Sequence, residues 1–125
     1  MLGLGETPQA TAELIKDVTE ASFMADVIEA SKTVPVIVDF WATWCGPCKT
    51  LGPMLEAAVT AAGGKVRMAK VDVDKNQRIA AQLRIQSIPT VYAFWQGQPV
   101  DGFVGAVPAS ELKAFVDRVS ALAGD

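Results

Sequence analysis

The feature that most constrains the fold is a β-branched run, Val34-Pro35-Val36-Ile37-Val38-Asp39-Phe40, that passes within a few residues into Trp44-Cys45-Gly46-Pro47-Cys48 and a helix-forming stretch. An apolar run of this kind reads as a strand buried on both faces, which needs helices on both sides of its sheet. Pro35 has no N–H to give to a ladder, so it fits only near the start of the strand. The helix that follows is expected to reach about Ala62, where Gly63-Gly64 stops it, and Pro53 inside it should kink it.

The rest of the chain repeats the alternation. Leu14–Val18 reads as a short strand, and Thr19 as the cap of a helix with Phe23, Val27 and Ile28 on one face. Val66–Val73 is a strand, Gln77–Leu83 a short helix and Thr90–Trp95 a strand; Gln96-Gly97-Gln98 turns into a further strand around Val100–Val104. A last helix begins near Pro108, with Ser110 or a neighbour as cap, and puts Leu112, Phe115, Val116 and Val119 on one face. The order β-α-β-α-β-α-β-β-α specifies an α/β fold: parallel units followed by a hairpin, hence a central mixed sheet with helices on both faces. Residues 1–12 show no periodicity and are expected to form a flexible extension to a single domain over 13–125.

Composition removes several kinds of chemistry. The 125 residues include two cysteines and no histidine, which excludes Ser-His-Asp and Cys-His hydrolases and histidine-ligated metal sites. Of the formal charge of −3, residues 1–30 hold six acids and one base, leaving eight acids and ten bases for the remainder. Neither part is basic enough to point to nucleic acid. The densest basic set, Lys65, Arg67, Lys70, Lys75, Arg78 and Arg84, is interrupted by Asp72 and Asp74 and reads as a solvated face. With no apolar stretch of spanning length and no basic leader, a cytoplasmic protein without a membrane contact is expected.

Any catalysis therefore rests on thiols, carboxylates, lysines or backbone. Two cysteines three apart at a strand-to-helix junction fit that requirement. A sulfur at the helix start meets unpaired N–H groups and the positive dipole end, which stabilise a thiolate. The second cysteine falls on the same helix face, within disulfide reach. Pro47 donates no N–H to the Cys45 thiolate, and with no histidine between the cysteines a reducing poise is expected. An inert disulfide is the weaker reading, because so small a loop stabilises little. A metal site is weaker too, because four thiolates would require two chains. Asp39, in the middle of an apolar strand, should have a raised pKa unless it is ion-paired or faces solvent. Trp41 and Trp95 read as packing residues and Trp44 as an exposed rim.

The segment Val38-Asp39-Phe40-Trp41-Ala42-Thr43-Trp44-Cys45-Gly46-Pro47-Cys48-Lys49 resembles the active-site segment of thioredoxins, and the likeness runs from about Ile15 to the last helix through Ile88-Pro89-Thr90 and Val104-Gly105-Ala106. The resemblance implies the thioredoxin fold and a protein-disulfide reductase that works by dithiol–disulfide exchange. It implies Cys45 as nucleophile and Cys48 as resolving thiol, with Asp39 as the buried acid that exchanges protons with Cys48 and Lys70 beside it. It implies a cis Pro89 facing the disulfide, and a substrate groove formed by Trp44, Gly46, Pro47, Ile88, Gly105 and Ala106. No cofactor and no metal are implied. The partners implied are disulfide-containing or unfolded protein clients and thioredoxin reductase or a similar flavoenzyme donor, with the chain as a monomer. Three segments, at 25–31, 80–89 and 97–103, resemble more narrowly the N-terminal thioredoxin domain of bacterial chaperedoxins, in which a tetratricopeptide-type repeat region follows. That likeness implies an alternative: a chaperone domain that holds unfolded or oxidised clients, with redox chemistry secondary.

Overall fold

A computed structural model describes residues 14–124, so the expected extension over residues 1–12 lies outside the described residues. Five strands form one sheet in the order β1-β3-β2-β4-β5: β1 (Ile15–Asp17), β2 (Val36–Trp41), β3 (Arg67–Asp72), β4 (Thr90–Trp95) and β5 (Gln98–Val104). β1 and β2 flank β3 in parallel, whereas β4 runs antiparallel to both β2 and β5. The expected mixed sheet is therefore present, with the β-branched run at its centre. Among the described residues, three α-helices follow the expected positions: α1 (Gly46–Ala61), α2 (Gln77–Gln82) and α3 (Ala109–Ser120).

Strand alternation sorts the core into two layers. Ile37, Met68, Val91 and Ala93 pack under Leu51, Leu55 and Val59 of α1 and Leu112, Phe115, Val116 and Val119 of α3. On the other face Val36, Val38, Phe40, Ala69 and Val71 meet Phe23 and Val27, with Ile79 and Leu83 against their edge. Asp39 shares the parity of Ile37, so it points toward α1. Lys70 shares the parity of Met68 and points the same way.

Two turns show why the elements end where they do. α1 runs through Pro53 and stops at Ala62, followed by Gly63 at φ +64, the left-handed conformation that glycine adopts without steric cost. Between β4 and β5 the two-residue turn has Gln96 at φ 57 and Gly97 at φ 85, as a hairpin turn with both central residues left-handed requires.

Two expected caps are absent. Thr19 does not cap the helix: its N–H donates to Ser22 Oγ at 3.0 Å within a turn, and the first helical segment begins only after Phe23. That segment is a π-helix over Met24–Glu29 followed by a 3₁₀ turn over Ala30–Lys32, entered from Phe23 without a side-chain cap. Ser110 lies inside α3; the cap position is Pro108, whose carbonyl accepts from Leu112 N at 3.0 Å. No helix among the described residues is long and apolar enough to cross a membrane.

Candidate active site

The end of β2 and the start of α1 hold the cysteines. Cys45 occupies the cap position of α1 with extended backbone, φ −87 and ψ 109, and its Sγ accepts the N–H of Cys48 at 3.2 Å. One of the orphan N–H groups of the helix start is thus aimed at that sulfur, and the same group would stabilise a thiolate there. Cys45 and Cys48 are joined as a disulfide, their Cα atoms 5.3 Å apart. Gly46 and Pro47 between them are exposed, and Pro47 sits in the first turn, where its missing N–H costs the helix nothing.

Burial does not separate the two cysteines, which are 4% and 5% exposed. Position does. Cys48 lines a cavity of about 220 Å³ together with Asp39, Gly52, Glu56 and Lys70, and Cys45 is not in that lining. Cys48, Gly52 and Glu56 are spaced i, i+4, i+8 along α1, so they form one stripe above Asp39 and Lys70.

Asp39 is 1% exposed, and its Oδ1 has no hydrogen-bond partner. The reading in which it faces solvent is excluded. Burial pushes its carboxyl up to about 6; the Lys70 ammonium acts in the opposite direction and the Glu56 charge adds to the rise. Lys70 stands next to Asp39 in the β2–β3 register, but its Nζ donates to Glu56 Oε2 at 2.8 Å. That hydrogen bond is the main reason the Lys70 pKa is raised. The ammonium also lies 5.7 Å from the centre of the Trp41 ring, within cation–π range. Trp41 is only partly buried, less than a core residue, with the Lys70 ammonium over its ring.

On the other side of the disulfide lies an open, partly apolar surface. Trp44 is 67% exposed, and its Nε1 donates to Asp74 Oδ2 at 2.8 Å. It borders a cleft of about 390 Å³ shared with Val73, Ala80 and residues 85–88. Ile88 packs against the cysteine pair, and the Ile88-Pro89 bond is cis. Pro89 is buried, and its carbonyl accepts the Gly105 N–H at 2.8 Å, which brings the start of the β5–α3 loop beside it. Gly105 is left-handed at φ +88. Ala106 follows it exposed, and neither residue is in the lining of the Trp44 cleft.

The wall of that cleft is tied to the rest of the fold by polar contacts over a long sequence separation. Buried Asn76 accepts from Glu20 N at 3.0 Å and donates to the Asp72 carbonyl at 3.0 Å, while Glu20 Oε2 accepts from Arg78 N at 2.7 Å in the first turn of α2. Glu56, Asp74 and Asn76 are thus part of the site's framework although sequence reasoning did not select them. For Glu56 a signal was available: its i+8 relation to Cys48 on a helix already expected.

Comparisons with known proteins agree with this geometry. The thioredoxin family model matches residues 14–118. Thioredoxin 1 of Synechococcus elongatus is 44% identical over 101 residues, covering 81% of this chain and 92% of that protein. Thioredoxin of Mycobacterium tuberculosis strain H37Rv is 51% identical over 89 residues, covering 71% and 75%. A bifunctional thioredoxin reductase/thioredoxin of Mycobacterium leprae is 47% identical over 100 residues; the match takes in 80% of this chain but only 21% of that longer protein. Among solved structures, Malassezia sympodialis thioredoxin superposes with a TM-score of 0.75 at 40% identity, over 86% of this chain and 91% of that one.

Proposed function

The chain belongs to the thioredoxin family and is a thiol–disulfide oxidoreductase that reduces protein disulfides through its Cys45–Cys48 pair; on that premise we propose the role of each residue. Cys45 is the attacking thiol. Its thiolate displaces one sulfur of a client disulfide, so that a Cys45–client bond forms and the other client sulfur leaves as thiolate. Cys48 then gives its proton to Asp39 and attacks Cys45 Sγ. The Cys45–Cys48 bond forms, the mixed disulfide breaks, and the second client sulfur leaves; two electrons have passed to the client.

The observation that carries this assignment is the asymmetry around the pair: the capping N–H points at the Cys45 sulfur, whereas the cavity with the buried carboxyl opens on Cys48. Lys70 tunes Asp39 as the nearest cation. Trp44, Gly46, Pro47, Ile88, Pro89, Gly105 and Ala106 border the client, whose backbone lies across them as a short added strand.

Thioredoxins are reduced by thioredoxin reductase, and the Mycobacterium leprae relative carries both names in one chain. We take such a reductase as the donor here, and a monomer in the reducing cytoplasm as the working form, a compartment that suits a pair returned to the dithiol after each turnover. The narrower likeness to chaperedoxin domains remains a secondary reading. The relatives that match are named thioredoxins, which favours the reductase. Insulin reduction with dithiothreitol as donor tests the assignment: turbidity should rise faster than in a Cys45→Ser control, and equal rates would overturn it. Suppression of client aggregation by a Cys45→Ser/Cys48→Ser form would support the holding role.

A further inference from the structure

We propose that Glu56 is a positioning residue of the exchange reaction: it holds the Lys70 ammonium off the Asp39 carboxyl and so leaves that carboxyl free to exchange a proton with Cys48. The inference rests on the role given to Asp39 above and adds a residue to it.

The sheet register makes Lys70 the obvious counter-ion for Asp39, since the two are neighbours across β2 and β3 on the face under α1. The ammonium is nevertheless hydrogen-bonded to Glu56 at 2.8 Å, while Asp39 Oδ1 is left without a partner. Glu56 reaches this point because it lies on the α1 stripe of Cys48 and Gly52, and all of these residues line one cavity. The groups that face Asp39 are Lys70 from β3 and Cys48 and Glu56 from α1, with Lys49 also in the cavity lining; from β4 the neighbour is the uncharged Val91. Asp17, next to Lys70 across β1 and β3, adds a second negative charge on the far side of the lysine.

A lysine in contact with a buried carboxylate locks it in the ionised, weakly basic form. Pairing Lys70 with Glu56 takes the ammonium's hydrogen bond away from Asp39 and leaves only its through-space pull, while the Glu56 charge, the smaller of the two effects, pushes the other way; both changes favour the protonated form of Asp39. The carboxyl can then take and return a proton near neutral pH, where a thiol needs it to.

The test is a carboxyl-carbon NMR titration of Asp39 in the oxidised protein, which needs neither client nor donor. Glu56→Gln should lower the Asp39 midpoint by about one pH unit, and Lys70→Gln should raise it. Glu56→Ala, which also removes the acceptor that glutamine retains, should lower it at least as far. In the Lys70→Gln background the effect of Glu56→Ala should shrink by half or more. A midpoint that stays or rises in both Glu56 variants overturns the proposal. Equal shifts with and without Lys70 overturn it too, since Glu56 would then act through its own charge alone. Either failure leaves insulin reduction by Cys45 intact, so it is distinguishable from failure of the functional reading.

Discussion

A methyl group on Gly52 would stand 3.9 Å from Asp39 Oδ2, an ordinary van der Waals distance, with no backbone atom in the way. Gly52 is helical and buried in the middle of α1, where glycine costs about 0.5–1 kcal/mol relative to alanine. Gly52→Ala should therefore stabilise the oxidised protein by about that amount, read as a higher urea midpoint at unchanged slope. It should also narrow the cavity above the carboxyl, dry it, and move the Asp39 midpoint above about 6. A loss of stability, or a midpoint that falls, would contradict this account of the close approach.

Asp39 itself opposes folding at neutral pH. Its folded-state pKa of about 6 lies above the ordinary value of 3.8, so the folded protein binds this proton more tightly than the unfolded chain does. The resulting stability is fully present below the unfolded value and is lost as pH rises through about 6; from there upward the ionised buried group costs about 3 kcal/mol. Asp39→Asn should raise the unfolding free energy at about pH 8 by up to that amount and change it little at about pH 3. In stopped-flow exchange the same substitution should slow release of the mixed disulfide more than its formation. The opposite order would remove Asp39 as the proton carrier for Cys48.

The Trp44 indole is fixed by its Asp74 hydrogen bond rather than by burial. Trp44→Phe keeps an aromatic ring and loses the N–H, so stability should change by no more than about 0.5 kcal/mol. A ring no longer held at the cleft rim should raise KM for a protein disulfide about five-fold, the equivalent of about 1 kcal/mol, with kcat nearly unchanged. An effect confined to kcat would place Trp44 in the chemical step instead.

The sequence made the alternation of elements, the mixed sheet and the cysteine junction legible because each rests on a local pattern: β-branched runs, glycine stops, and a Cys-Gly-Pro-Cys spacing at a helix start. Asp39 stood out as an acid inside an apolar strand. Glu56 is marked only by its spacing, eight residues beyond Cys48 on the same face of α1, and that spacing does not say whether the face meets solvent or a cavity. The Trp44–Asp74 and Glu20–Asn76 contacts join residues 30 and 56 positions apart, and no local signal encodes such pairs. Thr19 and Ser110 read as caps by residue type, but Thr19 lies in a turn ahead of the first helical segment, and α3, which begins near Pro108 as expected, has Pro108 itself at its cap position.

Cys45 attacks and Cys48 resolves, and trapping measures that order most directly. Cys45→Ser and Cys48→Ser forms, each incubated with an excess of a disulfide-bonded protein, are resolved by intact mass without reductant. The Cys48→Ser form should accumulate a stable covalent adduct with one client chain, because Cys45 attacks and nothing resolves it, while the Cys45→Ser form should remain almost free of adduct. Accumulation on the Cys45→Ser form instead, with none on Cys48→Ser, would contradict the assignment and make Cys48 the attacking thiol.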